Sequence, residues 1–497
     1  MKLKVKDMDI ATGDVQIVIL NQQDAEELDL HHMDRLILTK DGKKTTAVLD
    51  IAESKKAVPP GNIGLFEEVL DALNAKHNDT VTIEIAEKPE SVTYIKKKLD
   101  GEQLNSKEIY TIVKDIVENK LTDVELTSFV IASYIREMKT KEIAELTKAM
   151  AQTGDTITFK KHPIVDVHSI GGVPGNRTTM LIVPILVAAG CTIPKTSSRA
   201  ITSPAGTADT MEVLCPVSLT IEKLKQIINE VGGFIIWGGS VNLAPADDKI
   251  IRVEHPLSID AEGQMLASIM SKKASVGATH LLMEIPIGKG TKIKNKKQAD
   301  HLSRHFSELG KLLKIKIKTL YTDGSQPIGN GIGPVLEAKD VICALKSHGH
   351  ASQDLVEKSL HMSGILLEMA GKAKKGKGYK LARKILATGA AYGAMCRIIE
   401  AQGGKMPAPE TLKPAKHTYT HYAEKTGTIK EIENTMIAKT ARLAGAPKDP
   451  DAGIYIHKHC GEKIKKGEKI ITIYARSKRK LEYAVKSLKK MRRITIK

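Results

Sequence analysis

The segment VDVHSIGGVPGNRTTMLIVPILVAAG, residues 165–190, runs from a short strand pattern through a glycine-rich turn into a long apolar helix pattern. The helix is predicted to begin at about Asn176. Glycines let backbone N–H groups approach an anion closely, and a helix N-terminus adds a partial positive charge. Ser169 and Thr178 add hydroxyl donors to this turn. A phosphate cradle and an ordinary tight turn are both consistent with these residues.

The alternation of strand and helix continues on the C-terminal side of this segment. Strand patterns recur at CTIPKTS (191–197), FIIWGG (234–239) and THLLMEIPIG (279–288), with helix patterns near residue 207 and over 218–233. Such alternation predicts a mostly parallel sheet. Ligands of such sheets bind where strands give way to helices.

The second strand-to-helix turn, SSRAITSPAGTAD at residues 197–209, concentrates hydroxyl groups around one arginine. Hydroxyls and a guanidinium are typical phosphate donors. A Ser/Thr-rich loop with helix caps is the simpler alternative. Because two such turns follow neighbouring strands, phosphate binding is the better interpretation of the pair.

Two further stretches are candidates for ligand contacts. If residues 258–273 are helical, Asp260, Gln264, Ser268 and Lys272 lie on one face, which is either a binding stripe or a solvated surface. The turn GKGTK at 288–292 follows a predicted strand and is either a second anion site or a flexible basic loop.

Patterning outside these turns predicts a multidomain α/β chain. Residues 1–88 alternate as strands, residues 92–154 have helical spacing, and strands return after residue 416. The predicted division is an N-terminal β-rich domain (1–88), a helical lobe (89–160), a mostly parallel α/β lobe (161–415) and a small C-terminal α+β domain (416–497). The C-terminal domain is expected to be mainly structural.

Composition limits the classes of protein to which the chain can belong. The chain has 497 residues and a formal net charge of +18, with only 3% aromatic residues. A positive net charge is consistent with a protein that binds either nucleic acid or small anionic substrates. The scarcity of aromatic residues argues against binding of single-stranded nucleic acid. Five scattered cysteines, a charged N-terminus and no long apolar run lead us to expect a cytoplasmic protein without disulfides or a membrane span.

Several motifs together resemble the thymidine phosphorylase family over essentially the whole chain. They are YIKKKLDG (94–101), DVHSIGGVPGN (166–176), SSRAI with AGTAD (197–209), NLAPADD (242–248) and LASIMSKK (266–273). The additional N-terminal domain resembles an archaeal branch of the family that acts on nucleoside 5′-monophosphates. The resemblance implies that inorganic phosphate attacks C1′ of AMP, and also of CMP and UMP, releasing base and ribose 1,5-bisphosphate in nucleotide degradation.

The resemblance also implies roles for particular residues, without a cofactor or metal. Asp260 matches the proton donor, which would protonate the departing base. Ser169 matches a hydroxyl that holds the attacking phosphate. The positions that match nucleotide-binding residues are Gly172, Ser198, Arg199, Ala200, Ile201, Thr202, Ser203, Thr207, Ser268 and Lys292. Residues 246–275 would join the helical lobe, and homodimers or larger homo-oligomers would form through that lobe and the N-terminal domain.

The sequence departs from the nucleoside enzymes at two points. Val167 stands where those enzymes have a lysine before the histidine of the first turn, and residues 202–205 replace a Gly-His-Thr-Gly run. Extra hydroxyls there, with Lys292, are candidates to hold a 5′-phosphate. A pyrimidine nucleoside phosphorylase, a phosphoribosyltransferase and a basic nucleic-acid-binding protein remain alternatives, the second disfavoured because the phosphate turns lack an acidic pair for Mg²⁺.

Overall fold

Strands with inward-facing apolar residues close into a barrel at the N-terminus. The structure, a computed structural model, describes residues 1–13, 15–200, 203–257, 259, 261–347, 351–491 and 494–497. The barrel order is β1-β5-β2-β4-β3-β6, and β1 pairs with β6 to close it. Its elements are β1 (Lys2–Asp7), β2 (Ile17–Asn21), α1 (Gln22–Glu27), β3 (Arg35–Lys40), β4 (Lys43–Ala52), β5 (Asn62–Leu65), α2 (Glu67–Leu73) and β6 (Thr80–Ile85). Leucine, valine and isoleucine side chains fill its interior.

A layer of capped helices follows the barrel. Asn105 accepts hydrogen bonds from the backbone N–H groups of Lys107 and Glu108, and Thr122 accepts one from Glu125. These caps satisfy N–H groups that a helix start leaves without partners. The helices are α3 (Glu90–Leu99), α4 (Ser106–Val117), α5 (Asp123–Ile135) and α6 (Thr140–Gln152).

The middle of the chain forms parallel sheet flanked by helices, as the alternating pattern predicts. Strands β11-β10-β7 pair in parallel, β8 pairs in parallel with β9, and a bridge between Ile164 and Thr192 links the two sets. The elements are β7 (Val165–Ser169), α7 (Thr179–Ala188), β8 (Ile193–Ser197), α8 (Thr207–Glu212), α9 (Ile221–Glu230), β9 (Gly233–Trp237), α10 (Pro245–Leu257), α11 (Glu262–Ser275), β10 (His280–Ile287), α12 (Lys296–Leu313) and β11 (Lys316–Asp323).

The remaining helices cover this sheet and lead into the C-terminal domain. Strand β12 pairs with β15, so a strand from the α/β part extends the C-terminal sheet. The elements are β12 (Gly331–Ile332), α13 (Pro334–Leu345), α14 (Gln353–Met369), α15 (Gly378–Ala387), α16 (Ala390–Ala401), β13 (His417–Tyr422), β14 (Gly427–Ile432), α17 (Asn434–Ala444), β15 (Gly453–Ile456), β16 (Lys463–Ile464), β17 (Lys469–Ala475), α18 (Lys478–Met491) and β18 (Ile494–Ile496).

The chain divides into two compact units. The first comprises residues 1–154 and 244–271, and the second comprises 155–243 and 272–497. In the first unit, Lys249 of α10 donates to the carbonyls of Ile116 and Val117 at the end of α4. The predicted fold class is confirmed, whereas the four-part domain division stays a prediction. No helix in the described ranges is long and apolar enough to cross a membrane.

Candidate active site

The first glycine-rich turn lies directly against the turn that follows β10. Gly171 and Gly172 have positive φ angles of 91° and 92°. A Cβ on Gly172 would lie 2.8 Å from Cα of Thr291 and 3.0 Å from the backbone nitrogen of Lys292. Only glycine fits this approach and this backbone conformation. The structure therefore brings Gly172 and Lys292, both predicted site residues, together.

Ser169 ends β7 with its hydroxyl arranged as a hydrogen-bond donor. Its Oγ accepts from the backbone nitrogen of Gly171 and from Nδ2 of Asn176, each at 3.3 Å. The hydroxyl also hydrogen-bonds the carboxylate of Glu284, which is therefore the acceptor of its proton in this structure. Glu284 lies beside it, buried and paired with Lys358, and Asn176 also donates to Glu284 at 3.1 Å.

Arg177 joins the first turn to the second. Its guanidinium donates to Oγ1 of Thr207 at 2.9 Å and to the carbonyl of Ala205 at 2.7 Å, and it pairs with the buried carboxylate of Glu337. Since Thr207 Oγ1 accepts from Arg177, the Thr207 proton points elsewhere and can donate to an anion. This contact also fixes the start of α8 relative to the first turn.

Asp209 holds the two ends of the second turn. Its Oδ2 accepts from the backbone nitrogens of Ala200 and Gly206, both at 2.8 Å. A Cβ on Gly206 would lie 2.3 Å from the carbonyl oxygen of Ser198, so the turn closes tightly on itself. Arg199 pairs with Glu212 and Asp209 and lies 4.9 Å from the Trp237 ring centroid. Its guanidinium is thus held by carboxylates beside the turn.

A buried charge cluster lies beneath the first turn. Lys273 Nζ is 2.7 Å from Oδ2 of Asp166, while Lys195 Nζ is 3.4 Å from Oδ1 and donates to the carbonyl of Val167 at 2.7 Å. Burial, partly offset by Asp166, lowers the pKa of Lys195 to about 7. Burial and nearby lysines hold the pKa of His168 well below its usual value, so its imidazole is neutral. Two lysines facing one carboxylate make this layer net positive when both are protonated.

Three turns and one helix of the C-terminal domain surround a cavity of about 700 Å³. The first turn contributes Gly172, the second contributes Ser203, and the third contributes Lys292. Helix α17 supplies another wall with Thr435, Lys439 and Arg442 among its lining residues. Among the described lining residues none is acidic, and the hydroxyl, amino and guanidinium groups present favour an anion over a hard metal ion.

The predicted site residues fall into five groups. Gly172, Ser203 and Lys292 line the cavity, and Arg199 and Ala200 line a second one of about 650 Å³. Ser169, Ser198 and Thr207 belong to the same two turns. Ser268 lies on α11 within the first unit. Ile201, Thr202 and the predicted proton donor Asp260 lie outside the described residues.

Sequence analysis did not predict two parts of the site. Arg177 sits in the first turn, yet its carboxylate partner Glu337 is 160 positions away. The C-terminal domain was expected to be mainly structural, but α17 lines the cavity. The sequence signal for α17 was only an exposed basic face on an amphipathic helix, which is common on protein surfaces.

Comparisons with known proteins agree with this architecture. Residues 92–154 match the helical bundle domain of the glycosyl transferase family, and residues 161–392 match its a/b domain. Residues 428–495 match the pyrimidine nucleoside phosphorylase C-terminal domain. An anthranilate phosphoribosyltransferase from Thermus thermophilus has a similar fold, with a TM-score of 0.54 and 20% identity, covering 62% of this chain and 98% of that one.

Whole-chain relatives are much more similar. The AMP phosphorylase of Pyrococcus furiosus is 46% identical, covering 100% of this chain and 98% of its own. That of Thermococcus kodakarensis is 47% identical, covering 98% and 96%, and that of Methanococcus aeolicus is 44% identical, covering 98% and 95%. Similarity at this level extends from the N-terminal barrel to the C-terminal domain, and the chain belongs to the AMP phosphorylase family.

Proposed function

We propose that the chain catalyses phosphorolysis of AMP, and also of CMP and UMP, to free base and ribose 1,5-bisphosphate. The observation that carries this proposal is the cavity where Gly172, Ser203 and Lys292 meet, because its lining is rich in donors for anions and lacks acidic groups among the described residues. A substrate pair with two phosphate groups suits such a lining. The names of the whole-chain relatives support the same reaction.

The reaction transfers a ribosyl group between two nucleophiles. An oxygen of inorganic phosphate forms a bond to C1′ while the bond from C1′ to the base nitrogen breaks, and the bonding electron pair stays on the base. Ser169 and Thr207 bind the attacking phosphate through their hydroxyl groups. The Thr207 oxygen accepts from Arg177, which leaves its proton for the phosphate. When both amines are protonated, Lys195 and Lys273 outweigh the charge of Asp166, and this net positive charge favours an anion at the first turn.

The remaining residues orient the nucleotide and assist departure of the base. Asp260 protonates a ring nitrogen of the base, which offsets negative charge that develops as the bond breaks. Gly172, Ser198–Ser203, Thr207, Ser268 and Lys292 bind the nucleotide. In this scheme the Arg177 guanidinium is a positioning group, since it touches Thr207 and holds that hydroxyl.

The direct test is base release from AMP and from adenosine, each with and without inorganic phosphate. We expect adenine release from AMP only when phosphate is present, with little release from adenosine. Asp260→Asn should lower kcat by two to four orders of magnitude, about the usual contribution of acid catalysis. Phosphate-independent release, or equal release from uridine or thymidine, would reassign the chain to hydrolysis or to nucleoside phosphorolysis.

We also propose a cytoplasmic homo-oligomer, formed through the helical lobe and the N-terminal barrel. The five cysteines, all within the described ranges, form no disulfide, which supports a reducing compartment. Light scattering of the full chain and of a chain lacking residues 1–88 tests the assembly. We expect a dimer to persist while larger particles are lost, and an unchanged particle mass would refute a role for the barrel.

A further inference from the structure

We propose that the exposed face of α17, formed by Thr435, Lys439 and Arg442, binds the 5′-phosphate of the nucleotide and selects nucleotides over nucleosides. This inference rests on the proposed function and adds a second anion subsite to it. These side chains line the same cavity as Gly172, Ser203 and Lys292. They come from a domain that contributes none of the residues assigned above.

Helix α17 has two distinct faces. Met436, Ile437 and Ala441 are fully buried in the core of the C-terminal domain. Thr435, Lys439 and Arg442 are exposed and follow one another at four- and three-residue spacing, so they lie on one face of the helix. That face is the one that borders the cavity.

The position of α17 relative to the turns is fixed by contacts at its first residues. Nδ2 of Asn434 donates to the buried carbonyl of Gly324 at 2.7 Å. A Cβ on Gly290 would lie 3.2 Å from Cβ of Asn434, and Lys289 pairs with Glu431 at 2.8 Å. The helix therefore approaches the third turn closely, and Lys439 and Arg442 extend along the cavity from this anchored end.

Charge and chemistry identify the ligand of this face. Phosphorolysis of a nucleotide requires places for two anions, the attacking phosphate and the 5′-phosphate. The hydroxyls of Ser169 and Thr207 and the lysine pair Lys195 and Lys273 serve the attacking phosphate. Lys439 and Arg442, which line the same cavity as Lys292, provide cations for the other, and an arginine can hold a phosphate through two parallel hydrogen bonds.

The experiment measures substrate selectivity of the full chain carrying Lys439→Ala, Arg442→Ala or both. We expect the double variant to raise KM for AMP at least tenfold while KM for phosphate stays within twofold. Dissociation constants measured by calorimetry should weaken at least tenfold for AMP and not change for adenosine. Lys430→Ala, an exposed lysine of the same domain outside the cavity lining, is the matched control and should behave as wild type.

The possible results distinguish a failure of the proposed 5′-phosphate subsite from a failure of the proposed reaction. If the variants bind AMP and adenosine more weakly by the same factor, or if only KM for phosphate rises, α17 does not select the 5′-phosphate and the inference is overturned. If wild type binds AMP but releases no adenine, the proposed reaction fails while the binding measurements still decide the subsite. If wild type does not bind AMP, both are overturned. Unfolding midpoints equal to wild type show that the variants are folded, as expected for exposed positions.

Discussion

At the scale of single residues, the buried Arg177 links the first turn to the second, because its guanidinium contacts Thr207, Ala205 and the carboxylate of Glu337. We expect Arg177→Met to lower the free energy of unfolding by about 3–5 kcal/mol, because Glu337 would remain buried without its cation. The Thr207 hydroxyl would lose the donor that orients it, so KM for phosphate should rise as well. Urea unfolding and steady-state kinetics measure the two effects.

Companion variants test whether the loss comes from the unpaired carboxylate. Adding Glu337→Gln to Arg177→Met should recover much of the stability but not the KM for phosphate. Arg177→Lys keeps the positive charge but cannot contact Thr207, Ala205 and Glu337 together. We therefore expect its stability to be closer to wild type than its KM for phosphate. A loss below about 1 kcal/mol for Arg177→Met would mean that the pair contributes no more than an exposed one.

Lys195 should make stability depend on pH. Its pKa falls from 10.5 to about 7 on folding, so between these values the folded protein binds fewer protons than the unfolded chain. Stability from this group therefore increases as pH rises from 7 toward 10.5. We expect Lys195→Met to abolish that increase, measured by urea unfolding at pH 7, 8 and 9.

Lys225→Met on the exposed face of α9 is the matched control for this measurement. It should follow the wild-type pH dependence. A constant difference between wild type and Lys195→Met across the range would show that Lys195 keeps an ordinary pKa in the folded protein.

At the scale of elements, the second turn depends on the first turn of α8. Asp209→Ala removes the acceptor shared by the Ala200 and Gly206 N–H groups. We expect a stability loss of about 1–2 kcal/mol, in the range of a lost helix cap. Amides of residues 198–200 and 203–206 should exchange faster with solvent, as measured by hydrogen exchange, and KM for AMP should rise.

Glu212→Gln is the control for this prediction. It weakens the partly exposed pair with Arg199 but leaves the Asp209 contacts in place. We expect it to change stability by at most about 1 kcal/mol, with normal amide exchange of residues 198–200 and 203–206. Equal effects of the two variants would place the anchor of the turn at Arg199.

Sequence patterning predicted the elements of the site better than their contacts. Strand β7, its glycine turn and α7 follow from local alternation and composition, although α7 begins at Thr179 and not near Asn176. The intervening residues are held by side chains, because Asn176 and Arg177 bond to distant partners. The cavity face of α17 could not be predicted, since nothing near Lys439 in the sequence specifies the approach of Gly290 to Asn434.

At the scale of the whole molecule, the N-terminal barrel has the features of a domain that folds by itself. Its sheet is closed, so it has no free edge strands, and it has its own apolar core. We expect residues 1–88 alone to unfold cooperatively, with modest stability because the core is small. Circular dichroism and NMR dispersion of the fragment test this, and a disordered fragment would mean that the barrel needs contacts such as the Arg35–Glu125 pair.

The broad architecture was predictable because each layer has its own periodicity. The barrel alternates, the helical layer has three- and four-residue spacing, and the α/β part switches between the two. Periodicity alone does not predict the division into units, because α10 lies after β9 in the chain but belongs to the same unit as α4 and α5. Only the family resemblance implied that residues 246–275 join the helical lobe. Lys249, which contacts the end of α4, and Arg252, which pairs with Asp123 of α5, show that placement in the structure.

The position of α10, which belongs to the first unit but follows residues 155–243 in the chain, determines the order in which parts of that unit can fold during translation. The barrel is complete soon after residue 88 leaves the ribosome, but α4 and α5 wait until residues 155–243 have also been made before α10 arrives. Ile250 and Val253 of α10 are buried in the finished protein, so the surface that covers them stays open for that interval. Between the emergence of α6 and that of α10, the nascent chain therefore carries an uncovered apolar surface, which favours aggregation and chaperone binding.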